Sequence, residues 1–172
     1  LPRQPAAPAA ISVLSAVLRD LLREKLAISY DVGSTSHVLS STHAHHALRA
    51  DCQAVDAPAV AAHMQTELSR MIYDGGPPEE LADHQHNRRR YETMPGAALS
   101  IANFLASEWL YGDRVVDLEQ LEREADALTG ADMQAVAQAV HNSALWLVPE
   151  TTPVGDRRLH QVAQWSSWRV VG

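Results

Sequence analysis

The sequence is poor in the residue types on which several kinds of protein depend. It has one cysteine, Cys52, in 172 residues, so no intramolecular disulfide framework can form. Cys52 sits in an alternating segment among small apolar residues, with no Cys/His/Asn order around it, which points to a packed thiol and not a nucleophile. Aromatic residues make up 5% of the chain, with a single Phe, while Ala, Leu and Val carry the apolar content. That balance favours helices packed on a sheet over an all-β sandwich. Basic charge is also scarce: 14 Lys and Arg stand against 21 Asp and Glu, for a formal net charge of -7. Nucleic acid and anionic membrane surfaces both require a basic face, so neither is expected as a partner. The run Arg88-Arg89-Arg90 does not change this, because Glu79, Glu80, Asp83 and Glu92 share its segment and make it a solvated helix face. No apolar run reaches the length of a membrane span, and none reads as the apolar region of a signal peptide. A soluble, cytoplasmic protein is the expectation. No Gly-rich loop joins a strand to a helix, which argues against a nucleotide-binding α/β fold.

What is present is a series of well-patterned elements. The chain begins at Leu1 without Met, and a Pro- and Ala-rich lead-in, residues 1–10, precedes the first helix. This suggests a piece of a longer protein, with one domain over residues 11–172. From Ile11 to Leu26 the residues Ile11, Leu14, Leu18, Leu21 and Leu22 fall at helical spacing. Ile28 to Val32 alternates as a strand does, and Gly33-Ser-Thr-Ser is expected to end or bend it. His43 to Val55 reads as a second strand, with Ala44, His46, Leu48, Ala50, Cys52 and Ala54 on one face and His43, His45, Arg49, Asp51 and Gln53 on the other.

Asp56 and Pro58 open a helix that turns Val60, Met64, Leu68, Met71 and Ile72 inward and stops at Asp74-Gly75-Gly76. Pro77-Pro78-Glu79-Glu80 starts another helix, running to about Met94. Ala97 to Tyr111 is a strongly apolar helix, ending at a Gly112-Asp113 turn. Leu118 to Leu128 forms a further helix, and Thr129-Gly-Ala-Asp132 has capping-box spacing ahead of one over Met133, Val136 and Val140. Ala144 to Val148 reads as a short buried strand, and the tail from Glu150 as loop with an edge strand near Trp168 to Val171. The expected class is α+β: an antiparallel or mixed sheet with several helices on one face.

The helix-to-strand junction carries the most specific pattern. Arg23 and Tyr30 lie seven residues apart, one on each side of it. A guanidinium and a phenol converging there could jointly hydrogen-bond a polarised carbonyl. Leu22-Arg23-Glu24-Lys25, followed by Tyr30 entering a strand, resembles the insulinase (pitrilysin) family of zinc metallopeptidases, in particular a C-terminal half-domain of the kind shared with the mitochondrial processing peptidase. Ala27 stands where that family usually has Gly. The resemblance continues through the helix from Asp56 to Tyr73, the Pro-Glu-Glu-Leu helix start, Tyr111-Gly112-Asp113, Thr129 to Ala137, and a strand ending in Val148-Pro149. It thus covers nearly everything from Ile11 to Pro149.

In that family two homologous halves close like a clamshell around a peptide. One half carries an inverted His-x-x-Glu-His zinc motif whose Glu is the general base, and the other supplies an Arg/Tyr pair to the substrate carbonyl and the developing oxyanion. This chain contains neither His-x-x-Glu-His nor His-Glu-x-x-His; His63 and Glu67 lack a second His. The resemblance therefore implies no metal or cofactor here, zinc in a homologous partner half, a peptide substrate, and Arg23 and Tyr30 as substrate and oxyanion contacts. It also implies that the strands such a half places first lie outside this chain. The partner half is either upstream in the same polypeptide or in a separate subunit. Alone, the chain is expected to be inactive.

Two other readings stay open. Some members of the family keep the fold as a scaffold or assembly subunit without a peptidase role. In that case Arg23 would pair locally with Asp20, Glu24 or Asp31, and Tyr30 would pack in the sheet. The histidines offer a metal-binding reading, since His43 and His45 share a strand face. Two ligands do not complete a tetrahedron, and His84 and His86 point apart on a helix, so solvated faces are the simpler account.

Overall fold

A computed structural model describes residues 6–40, 42–112, 115–149 and 168–171. The expected loop from Glu150 onward and Asp113 of the expected turn lie outside them.

The organising element is helix α1, Ala6–Arg19, extended by a π-helical turn over Asp20–Lys25. It begins within the stretch expected as a lead-in, not at Ile11. Alanine has the best helix propensity, and Pro8 falls in the first turn, where its missing N–H costs nothing. Ala6, Ala7, Ala9, Ala10, Val13, Leu14 and Leu18 are all buried, because α1 is surrounded on several sides. Around it stand helices α2 (Ala57–Asp74), α3 (Pro78–Glu92) and α6 (Gly130–Ser143), with the hairpin of β1 (Val32–Val38) and β2 (Ala44–Ala50). Leu18 and Leu22 are fully buried. Each such side chain contributes about 1.5–3 kcal/mol of burial.

The hairpin differs from its expected bounds. β1 starts at Val32, where the expected strand ended, and runs on through Gly33-Ser-Thr-Ser. Residues 26–31 are consumed by the exit from α1, and the polar run is held in strand form by antiparallel pairing from Val32↔Ala50 to Val38↔Ala44. β2 stops at Ala50, after which the chain turns into α2 with Asp56 N–H donating to the Gln53 carbonyl at 2.9 Å. The expected faces hold within β2: Leu48 and Ala50 pack on the core with Val32, whereas His45 and Arg49 are exposed. Cys52 also packs there, and burial pushes its thiol above the usual range.

Helix α2 buries Val60, Leu68 and Met71 as its periodicity requires. It ends at Gly75, whose φ of 77° only glycine adopts freely and whose N–H reaches the Met71 carbonyl at 3.0 Å. The arginines of α3 are more than a solvated face. Arg89 pairs with Asp126 at 3.0 Å and Arg88 reaches the Glu122 carbonyl at 3.3 Å, tying α3 to α5 (Leu118–Asp126). At the start of α6, Asp132 accepts the Thr129 N–H at 2.8 Å and closes the capping box in place of the usual Glu.

The expected burial of the strand over Ala144 to Val148 fails, and an apolar helix is also largely exposed. Helix α4, Ala97–Gly112, is apolar but chiefly touches α3 and β1, so Leu99, Trp109, Leu110 and Tyr111 are exposed while Ala97 and Glu108 are buried. Strand β3, Trp146–Pro149, half-buries Trp146 but exposes Leu145 beside it and Leu147. It pairs antiparallel with β4, Trp168–Val171, where an edge strand was expected. Among the described residues the strands therefore form two separate two-stranded antiparallel sheets, not the single sheet expected. The class is α+β, dominated by helices.

Candidate functional site

The exit from α1 is built by a wide helical turn followed by a tight reversal. The Leu26 N–H reaches back five residues to the Leu21 carbonyl at 2.9 Å, which is the π spacing. Asp20 and Lys25, also five apart, then lie one above the other and pair at 2.7 Å. Asp20 accordingly holds the Lys25 ammonium above its usual range. Both the Ile28 and Ser29 N–H groups return to the Leu22 carbonyl, at 2.9 and 3.2 Å. Between them and the helix, Ala27 has φ 54°. Left-handed backbone favours glycine, and here it is adopted by a residue that carries a Cβ.

This reversal brings Arg23 and Tyr30 together. Leu22 points into the core, so Arg23, next along the turn, faces solvent. Its guanidinium carbon lies 5.3 Å from the centre of the Tyr30 ring, within cation–π range. Tyr30 is 78% exposed and precedes the sheet instead of packing in it. Of the three acidic partners considered for Arg23, Asp20 is taken by Lys25 and Asp31 by Arg49 at 3.0 Å. Glu24 does meet the Arg23 Nε at 3.3 Å, with both side chains about half exposed. Such a surface pair contributes little. Both side chains of the pair stay open to solvent.

Sequence reasoning missed Asp51 at this place. Its Oδ1 accepts the Tyr30 N–H at 2.9 Å, the Asp31 N–H at 2.6 Å and the Ser29 hydroxyl at 3.1 Å. These bonds, the Asp31 N–H first among them, hold the carboxyl below its usual range. No spacing rule announces contacts that span 20 to 22 residues. The junction is tied further by Arg19, which reaches the Val32 carbonyl at 3.4 Å.

The histidines do not gather. His45 stands opposite His37 across the hairpin and both are exposed. His46 turns the other way and bonds Ser36 at 2.7 Å, while His84 bonds Ser12 at 3.1 Å. Burial lowers the affinity of His46 and His84 for a proton. On α2, Glu67 is buried against Arg70 at 2.7 Å and is not directed at His63. Among the described residues no three His, Cys, Asp or Glu side chains converge as a metal-holding group.

No protein-family model matches this sequence, and no curated protein matches it. Solved structures do match. A protease from Helicobacter pylori superposes with a TM-score of 0.63 at 15% identity, over 80% of this chain and 35% of the other. The periplasmic protease PqqL from Escherichia coli gives 0.57 at 17% identity, over 80% of this chain and 16% of the other. A peptidase M16 inactive domain from Pseudomonas fluorescens gives 0.56 at 19%, over 78% and 34%. The chain shares its fold with these two proteases and with the peptidase M16 inactive domain. The chain spans about a third or less of the length of these solved chains. At such identities the likeness concerns architecture; the chemistry must be argued from the site.

Proposed function

We propose that this chain is the zinc-free half of a clamshell peptidase, supplying a substrate-binding wall and the Arg23/Tyr30 contacts to a zinc-bearing homologous half. The observation that carries this reading is the exposed, stacked Arg23–Tyr30 pair at the exit of a core helix in an M16-type fold. Both groups are donors. The guanidinium presents fixed positive charge and the phenol a hydroxyl hydrogen, so together they favour negative charge on a carbonyl oxygen. Donors of this kind act most strongly on charge that develops in the transition state, and losing one typically costs ~3 kcal/mol, about a hundredfold in rate. The ring under the guanidinium restricts its rotation, so less ordering remains when substrate arrives.

A second reading, a scaffold domain of the same fold, is favoured by one contact: Glu24 already engages the Arg23 Nε. The two readings separate on activity. The purified chain, assayed with peptide mixtures with and without added zinc, is expected to show no turnover. Combined with its zinc-bearing half, it is expected to support cleavage that is lost when either half is left out. Zinc-dependent, chelator-sensitive turnover by the chain alone would refute the half-site reading, and an assembled complex without turnover would favour the scaffold.

A further inference from the structure

We propose that Asp51 is a positioning residue for the Arg23/Tyr30 pair: one carboxylate oxygen at the end of the hairpin sets the Tyr30 backbone so that its ring meets the guanidinium. Tyr30 lies in the connection over residues 26–31, between a helix and a strand, where main-chain N–H groups lack ladder partners. Its ring is 78% exposed, so core packing does not fix it. What fixes it is its own backbone. The Tyr30 and Asp31 N–H groups both donate to Asp51 Oδ1, at 2.9 and 2.6 Å, and the buried Ser29 adds its hydroxyl at 3.1 Å.

Asp51 is itself anchored, because its N–H donates to the Asp31 carbonyl at 3.0 Å and extends the hairpin by one residue beyond Ala50. Arg49, two residues earlier, holds the Asp31 side chain at 3.0 Å. The junction is therefore clamped to the second strand, and α1 contributes Arg23 from the other side. Charge-assisted bonds of this kind are about twice as strong as neutral ones. Ala27 makes the clamp necessary, since a left-handed alanine is the weak link of the reversal. Relevance to catalysis rests on the function proposed above; the positioning itself does not.

The test is NMR on the whole chain, with no substrate. In the wild type the Arg23 side-chain protons are expected to shift upfield over the Tyr30 ring, an effect that Tyr30→Leu abolishes. The Tyr30 and Asp31 amides are expected to be protected from exchange. Asp51→Ala should abolish most of the Arg23 shift and speed exchange of both amides about ten- to hundredfold, while amides of α2 and α6 stay protected. Asp51→Asn, which keeps an acceptor oxygen, should retain more than half of the shift.

Unprotected Tyr30 and Asp31 amides in the wild type would overturn the proposal, a result that needs no variant to fold. So would an unchanged Arg23 shift in folded Asp51→Ala, or an Asn variant as deficient as the Ala variant. In the assembled peptidase, Asp51→Ala should lower turnover about tenfold and cost nothing further on a Tyr30→Leu background, which lacks the ring. Additive losses would show that Asp51 acts apart from Tyr30 and would also overturn the proposal. Should Tyr30 prove irrelevant to turnover, the NMR results would still stand or fall alone.

Discussion

Ala27 is the strained residue between Arg23 and Tyr30. A φ of 54° puts its Cβ against the neighbouring carbonyl, a conformation costing about 1–2 kcal/mol that glycine avoids. Glycine returns part of that gain through greater freedom in the unfolded chain. Ala27→Gly is therefore expected to stabilise the protein by about 0.5–1 kcal/mol in urea unfolding; a loss of stability would mean that the reversal is not left-handed. The Arg23 to Tyr30 offset was legible in the sequence because both residues belong to one local turn. Asp51 was not, because only the pairing of β1 with β2 brings it there. Two histidines give a second test at this scale. Burial depresses His46 and His84 below the ordinary value of 6.5, so the unfolded chain takes up these protons first as pH falls. Their contribution is present above 6.5 and is lost as pH falls through the folded-state values. The urea midpoint should drop between about pH 7.5 and 5.5, and less steeply in His84→Gln. A midpoint that is flat or rises over that interval would contradict the burial.

Among the elements, those with a strict period and a clear stop were the legible ones. The helix from Asp56 ended at Gly75 as its glycines suggested, and Thr129 with Asp132 marked the next start. The sequence could not show why Gly75 must be glycine. A Cβ there would lie 2.5 Å from the Gly130 carbonyl oxygen, at a φ of 77°, because the end of α2 abuts the start of α6. Gly75→Ala should cost about 2–5 kcal/mol, summing left-handed strain and overpacking, and a thermal shift consistent with under about 1 kcal/mol would show that the two helix ends are not in contact. The strands were misplaced for the opposite reason: short polar strands such as Gly33-Ser-Thr-Ser carry no hydrophobic alternation, so only the partner strand defines them. Apolar composition misled at β3, since it does not say which faces meet a neighbour within the chain, as exposed apolar side chains on α4 also illustrate.

At the scale of the whole molecule, α1 is both the centre of the core and the arm that carries Arg23. Leu18 and Leu22 fix the arm from inside, the π turn widens its end, and the hairpin returns through Asp51 to hold Tyr30. The stability of the fold and the geometry of the pair are therefore one structure. The likeness to a solved protease over 80% of this sequence at 15% identity concerns the fold. The most direct measurement is steady-state peptide hydrolysis by the chain assembled with its zinc-bearing half, comparing wild type with Tyr30→Phe, which removes one oxygen and keeps the ring beneath Arg23. The account predicts kcat lower by about a hundredfold with KM little changed, because the lost donor acts on charge formed in the transition state. An unchanged kcat would contradict it.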